Sequence, residues 1–366
     1  MTIREHEKIS AADCPNFDEL RTFAEAGKFF NLSWRYVQAK NYVGVIRLPS
    51  GFQIEILPKL DAPNEKLRGL VIEMLRTLKD FSYKKFLNAE LDTARLDLYE
   101  IFIRIYLGMV NDLVKRGLKS SYVEREDNLK FFKGKLMINE NLRRNFAHRE
   151  RFFVSYDEYG IDRPEHRLIK AALLKLRREK LARRLLTYFD SVAASFNHQK
   201  DFAAISIDRT NHEYKIVMNW TRLILSSESF TPFSGKSEVV TLLFDMNKLF
   251  ETYVAEHIKK YFSDRFTVKI QAQEKFLFDE PRRFGLKPDI ILEGDEKIIL
   301  DTKWKFEPTE GDMYQMFAYA KRYDVKKIYL LCPPQVEEII YRAADFEVEV
   351  HGVDLFHIVN LRGLIM

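Results

Sequence analysis

Cysteine is nearly absent from this chain. Cys14 and Cys332 are the only two in 366 residues, and their separation argues against a disulfide framework or a cysteine metal site. No run of about 18 apolar residues occurs, so no membrane span is expected. The opening Met1-Thr2-Ile3-Arg4-Glu5-His6 is polar and carries no signal peptide. The histidines are scattered, without HExxH or another paired zinc spacing, and no Gly-x-Ser-x-Gly elbow is present. Gly235-Lys236-Ser237 has the ending of a phosphate-binding loop, but Phe230 stands where its first glycine belongs. No clear strand precedes it, so this chain is expected to bind no nucleotide. There is no internal repeat and no low-complexity tail. These absences fit a protein of the reducing cytoplasm.

What is present is ordinary globular material. Hydrophobic residues make up 46% and charged residues 31%, and the length suffices for two or three domains with cores of their own. The net charge of +5 permits nucleic-acid binding without requiring it. Arg177, Arg178, Lys180, Arg183 and Arg184 read as one basic helical stretch, and Arg143, Arg144, Arg149 and Arg151 cluster in another segment. A solvated face and a phosphate-contacting surface fit these clusters equally. The many aromatics are core by default.

Around residues 41–60 the apolar residues alternate: Tyr42, Val43, Val45 and Ile46, then Phe52, Ile54 and Ile56. With Pro49-Ser50-Gly51 between them, this predicts a β-hairpin. From about 64 to 117 the spacing becomes helical. Leu67, Leu70, Val71, Met74 and Leu75 form one stripe, and Leu98, Ile101, Ile105, Met109 and Leu113 a second. Residues 120–157 return to short strand-like pieces broken at Gly134. A long helix is expected from Arg163-Pro164, because proline suits a first turn. Two more are expected at about 214–227 and 238–262. Strands dominate after Phe266, interrupted by one helix at about 309–323. The Ser, Pro and Gly cluster near Ser226–Lys236 is the natural boundary.

The chemistry lies in the last third. Pro288-Asp289 precedes Ile290-Ile291-Leu292, and Ile298-Ile299-Leu300 leads into Asp301-Thr302-Lys303. Acids inside apolar strands are costly unless they are paired or bind a cation. Strand alternation puts Asp301 and Lys303 on one face. Asp289 lies opposite Asp301 only if the connecting loop holds an odd number of residues. Gly294-Asp295-Glu296 supplies such a loop and pairs Ile291 with Ile299. Both remaining faces are apolar, which predicts a central sheet covered by helices. On this geometry Asp289 and Asp301 hold Mg²⁺ with help from the Thr302 carbonyl. Lys303 orients or deprotonates a water, or offsets charge on the phosphate. A surface Asp-x-Lys on an edge strand, with Asp289 capping a turn, is the plain alternative.

Two flanking helices add candidates. Glu251 follows Phe250 beside an apolar stripe and could be a third metal ligand. Thr309-Glu310-Gly311-Asp312 resembles a capping box. Gln315 and Tyr319 follow, four apart on one helix face, where they could hydrogen-bond near the metal or contact the cut strand. Lys305 joins them as a supporting or DNA-contacting candidate.

This last third resembles the PD-(D/E)xK nucleases in Pro288-Asp289 and Asp301-Thr302-Lys303, with Glu251 on the preceding helix. Gln315-x-x-x-Tyr319 is similar to the helix motif of their RecB-like branch. A narrower resemblance spans roughly residues 40 to 323. Asn41-Tyr42-Val43-Gly44-Val45-Ile46, Ile54-Glu55-Ile56-Leu57-Pro58-Lys59 and Phe244-Asp245-Met246-Asn247-Lys248-Leu249-Phe250-Glu251 resemble the McrC family. McrC is the nuclease subunit of the McrBC modification-dependent restriction system. Gly134-Lys135-Leu136 and Tyr156-Asp157-Glu158 fit its middle.

The resemblance implies a Mg²⁺-dependent endonuclease, with Mn²⁺ as a substitute. It implies docking through the N-terminal part on a McrB-like AAA+ GTPase hexamer, whose hydrolysis this chain stimulates. The substrate it implies is double-stranded DNA whose modified cytosine the partner recognises. A stand-alone RecB-like nuclease and an adaptor that activates an AAA+ ring are the alternatives. The fold expected is mixed α+β: a β-rich module over 1–60, a mainly helical docking region over 61–230, and an α/β PD-(D/E)xK nuclease domain with a mixed sheet over 237–366.

Overall fold

The structure, a computed structural model, describes residues 1–78, 96–208, 211–226 and 240–364. Gly235-Lys236-Ser237 and most of the expected boundary segment fall outside these residues. Contacts divide the chain into two units. One joins Met1–Tyr99 to Leu242–Met366, and the other is Glu100–Thr241.

In the first unit the expected hairpin forms. Tyr42–Arg47 runs antiparallel to Gln53–Leu57, with Ile46 opposite Ile54. Thr2–Arg4 adds a parallel strand beside Gln53–Leu57, and the strand beginning at Val240 completes the sheet beside Tyr42–Arg47. Gly44 is required at that junction. Its φ is +132°, and a Cβ there would stand 2.0 Å from the carbonyl oxygen of Leu242. A three-stranded sheet of Lys8–Ser10, Tyr36–Ala39 and Phe30–Leu32, with the helix Phe17–Ala26, makes up the rest of the N-terminal segment.

The helix Asn64–Thr77 buries the predicted stripe of Leu67, Leu70, Val71, Met74 and Leu75, and packs against the helix Met246–Phe262. That second helix starts later than its spacing predicts, because Val240–Asp245 is a strand. Val240-Thr241-Leu242-Leu243-Phe244 is buried throughout, and a fully buried apolar run does not show whether its period is helix or strand. Asp245 then caps the helix, its side chain accepting from the Asn247 N–H at 2.9 Å.

The C-terminal segment builds a six-stranded mixed sheet. Its order is Thr267–Ile270, Ile290–Glu293, Lys297–Thr302, Lys327–Cys332, Glu347–Gly352 and Ile339–Arg342. The first three pair antiparallel, Lys297–Thr302 to Glu347–Gly352 pair parallel, and the last edge is antiparallel. Both faces are covered, as the sequence predicts. Ile291, Ile299, Leu330 and Val350 share a core with Met316, Tyr319, Ala320 and Tyr323 of the helix Glu310–Tyr323. Ile290, Leu292, Ile298 and Leu300 point the other way and are also buried. A small hairpin, Lys275–Phe278 with Arg283–Leu286, leads into Lys287-Pro288-Asp289.

In the second unit the pieces expected over 120–157 are longer than their patterning suggests. Ser121–Leu129 and Phe152–Gly160 pair over nine residues each, with Lys135–Leu136 alongside. Charged residues such as Glu124, Arg125, Glu126 and Asp127 hide the alternation, because these four are exposed. Gly134 (φ +70°) turns into the short strand. The helix Pro164–Lys175 begins at its proline and packs against Tyr214–Ser226 and His198–Ala204. The basic stretch is not one helix. Arg177 and Arg178 occupy the turn between Pro164–Lys175 and Lys180–Leu186.

Cys14 and Cys332 are buried and free. Among the described residues, no helix is long and apolar enough to cross a membrane.

Candidate functional site

The hairpin that carries the acids has the odd loop. Ile291 pairs with Ile299 and Glu293 with Lys297, so Gly294-Asp295-Glu296 forms the connection. One further step of that register brings Asp289 across from Asp301. The link between these strands is direct. Oδ2 of Asp289 accepts from the Thr302 N–H at 2.8 Å and from the Thr302 hydroxyl at 2.6 Å. Thr302 thus enters the site through its donors.

Asp301 is 1% exposed. Burial, reinforced by the charge of Asp289, pushes its carboxyl up to about 7, while the Lys303 charge and hydrogen bond pull it down. Lys303 Nζ donates to Asp301 Oδ2 at 2.5 Å. Burial works against the Lys303 ammonium, but Asp301 and Asp289 outweigh it and raise its pKa.

A hard divalent cation fits this donor set. The charge of Asp289 opposes that of the buried Asp301, and a cation between them would relieve this. The hydrogen bonds to the pair end on Oδ2 of each aspartate, leaving Oδ1 of each without one among the described residues.

Glu251 lies beside this pair. Burial and the charge of Asp289 raise its carboxyl, and Gln271 donates to it. Gln271 accepts in turn from Lys287 Nζ at 3.1 Å. Among the described residues, no three His, Cys, Asp or Glu side chains form a group that could hold a metal ion. The structure therefore does not gather Glu251 into one ligand cluster with the two aspartates.

The remaining candidates turn inward. Gln315 donates to the Tyr319 hydroxyl at 2.7 Å, and that hydroxyl donates to the Lys287 carbonyl at 3.0 Å. Burial and the charge of Asp301 raise the Tyr319 phenol. The pair fastens the segment that delivers Asp289. Lys305 is bound to both oxygens of Asp312, at 2.9 and 2.7 Å. Asp312 closes the capping box with Thr309, so Lys305 ties the strand end to the start of the helix Glu310–Tyr323.

Sequence reasoning missed Thr302 as a donor, and also Gln271, Lys287 and Trp304. Only Trp304 carried a signal of its own, since a buried indole N–H must find an acceptor. That acceptor is Glu5, 299 positions away in the chain.

The sequence matches, over residues 37–333, the family described as "McrBC 5-methylcytosine restriction system component". The chain belongs to this McrBC family. Two solved structures resemble this McrBC member. One is a refined half-complex from a tetradecameric assembly of Thermococcus gammatolerans McrB AAA+ hexamers with bound McrC. It has a TM-score of 0.68 at 18% identity and covers 96% of this chain and 94% of that one. The other is the cryo-EM structure of the Thermococcus gammatolerans McrBC complex, with a TM-score of 0.52 at 22% identity, covering 71% of this chain and 87% of that one. At these identities the likeness is one of fold. No curated protein is matched by the sequence. Asp289, Asp301, Lys303, Thr302 and Tyr319 all fall within the McrBC span, whereas Glu5 lies outside it.

Proposed function

We propose that this chain is the Mg²⁺-dependent DNA endonuclease subunit of a McrBC-like modification-dependent restriction complex. The observation that carries the proposal is the buried Asp301, bonded to Lys303, with Asp289 across from it on the neighbouring strand end. Asp289 and Asp301 would hold the cation, with Mn²⁺ as a substitute. When bound, that ion supplies Lewis-acid charge and lowers the pKa of water.

The chain's own residues do the rest. Thr302 fixes the Asp289 carboxylate through two hydrogen bonds. Gln315 and Tyr319 hold the main chain that leads into it. Lys303 keeps a cationic hydrogen-bond donor beside Asp301, placed to orient a water or to offset the charge that builds on the phosphate. Lys305 sets the strand end against the helix Glu310–Tyr323 and supports the site from outside.

The family assignment supports work in a restriction system. The fold likeness to chains of McrB AAA+ hexamers with bound McrC supports a McrB-like GTPase hexamer as partner. On this proposal the partner binds the nucleotide, reads modified cytosine in double-stranded DNA, and works with this chain in the cytoplasm.

The test is reconstitution with a McrB-type AAA+ GTPase from the same genome, on methylated and unmethylated plasmid with GTP or ATP. Cleavage that needs Mg²⁺ and the partner, and that vanishes in Asp301→Ala while GTPase stimulation persists, is the expected result. Undiminished cleavage by Asp301→Ala overturns the site. Stimulated GTP hydrolysis without any cleavage by the wild type leaves an adaptor instead.

A further inference from the structure

Glu5 is buried in a place where an acid is expensive. It is 1% exposed, and burial pushes its carboxyl up to about 8 against the pull of its donors. An amide would fill the same space and still accept from a donor, without a charge to desolvate. The donors show what the acid grips. Trp304 Nε1 reaches both of its oxygens, at 3.0 and 3.2 Å, and the Lys59 N–H reaches Oε2 at 3.2 Å.

Trp304 directly follows Lys303. The strand ends at Thr302. Beyond it, Lys303 retains one main-chain bond to Leu331 and accepts one from the Lys305 N–H, both at 2.9 Å. The orientation of this short stretch depends on what holds the Trp304 side chain. The indole is 5% exposed and packs on Phe250 at 5.3 Å between ring centroids. Phe250 precedes Glu251. The end of the N-terminal strand therefore clamps the residue between Lys303 and Lys305. Lys59 adds a second contact, its ammonium 5.7 Å from the ring of Phe306. Glu5 is itself held, its N–H donating to the Leu57 carbonyl at 3.0 Å.

We infer that Glu5 is a positioning residue for Lys303: it fixes the Trp304 indole, and so sets the main chain that presents the ammonium to Asp301. The inference rests on the nuclease reading for its effect on turnover, but not for its effect on Lys303 itself.

The test uses the full chain with its GTPase partner and the variants Glu5→Ala, Glu5→Gln and Trp304→Phe. Two quantities are read: DNA cleavage, split into kcat and KM, and the acylation rate of Lys303, measured by peptide mass. Misplacing a reacting group by about 1 Å costs up to about a hundredfold. Glu5→Ala and Trp304→Phe are accordingly expected to lower kcat by about tenfold or more with KM for DNA unchanged. They should also speed acylation of Lys303, whereas Glu5→Gln keeps both quantities near wild type. If Glu5→Ala does not fold, Trp304→Phe and the Gln variant carry the comparison. Unchanged kcat and unchanged Lys303 reactivity in folded Glu5→Ala, or in Trp304→Phe, overturn the inference. Altered reactivity in a protein whose wild type never cleaves DNA upholds the positioning role and removes the nuclease reading.

Discussion

Thr302 donates twice to one oxygen of Asp289, through its main-chain N–H at 2.8 Å and its hydroxyl at 2.6 Å. The residue after one aspartate thus orients the other. The paired strands become a single device in which neither carboxylate is placed independently. Replacing Thr302 by Val removes the hydroxyl and keeps the N–H. The expected loss is about 1.5–3 kcal/mol of the Asp289 anchorage, typical of a hydrogen bond to a charged group. The Mg²⁺ concentration for half-maximal cleavage should rise, and Thr302→Ser should restore it. A titration identical to wild type in Thr302→Val would detach Asp289 from metal binding.

Lys303→Met should destabilise as well as inactivate. It leaves Asp301 buried without its counter-charge, and breaking a buried pair costs about 3–5 kcal/mol, less here because Lys303 is 20% exposed. The double variant Asp301→Asn, Lys303→Met should recover most of that stability and none of the cleavage. Denaturant melts of the two single variants and the double variant measure it. Stability in Lys303→Met equal to wild type would contradict the pairing.

Glu5 makes stability depend on pH. Its folded value of about 8 stands above the ordinary 4.5, so the folded state keeps a proton that the unfolded chain has released. The stabilisation is complete below about 4.5 and is lost as pH rises through about 8. Thermal midpoints across that window should fall more steeply for wild type than for Glu5→Gln. Parallel curves would show that Glu5 stays ionised in the fold.

Truncation should expose the dependence of the C-terminal segment on the N-terminal one. The strand Tyr42–Arg47 lies beside the strand that begins at Val240, and the helix Asn64–Thr77 packs on Met246–Phe262. A fragment of residues 237–366 loses these partners along with Glu5. It should show weak circular dichroism and aggregate on gel filtration. A monomeric fragment with a cooperative melt would refute this dependence.

Tyr319→Phe removes the bond to the Lys287 carbonyl and leaves that part-buried acceptor short of a donor. About 1–3 kcal/mol of stability is the expected loss, with a smaller one for Gln315→Ala, which touches only the tyrosine hydroxyl. Chemical denaturation ranks the two. A larger effect of the glutamine variant would mean that it has another role.

Much of the fold around the site was legible because it is built from local patterns. The Pro164 helix start, the Thr309 capping box and the 42–57 hairpin each declare themselves within a few residues. The register of the acidic hairpin is the one that strand parity requires if Asp289 and Asp301 are to share a face, with Gly294-Asp295-Glu296 as its odd loop. The strand Val240–Asp245 was not legible, because full burial erases the contrast between a helix period and a strand period. The ribbon Ser121–Leu129 was obscured for the opposite reason, because exposure leaves no apolar alternation.

The sequence by itself determined which residues could carry the chemistry and on which face of a strand they stand. Side-chain alternation is a property of the local backbone, and Asp301 obeys it wherever its strand lies. Only the tertiary structure decided their partners. It took Lys305 to Asp312 and Glu251 to Gln271, and it brought Glu5 from the first turns of the chain to the indole beside Lys303. Such partnerships are settled by burial. A polar group removed from water must take a partner within reach, and the chain's path through space, not its order, determines what is within reach.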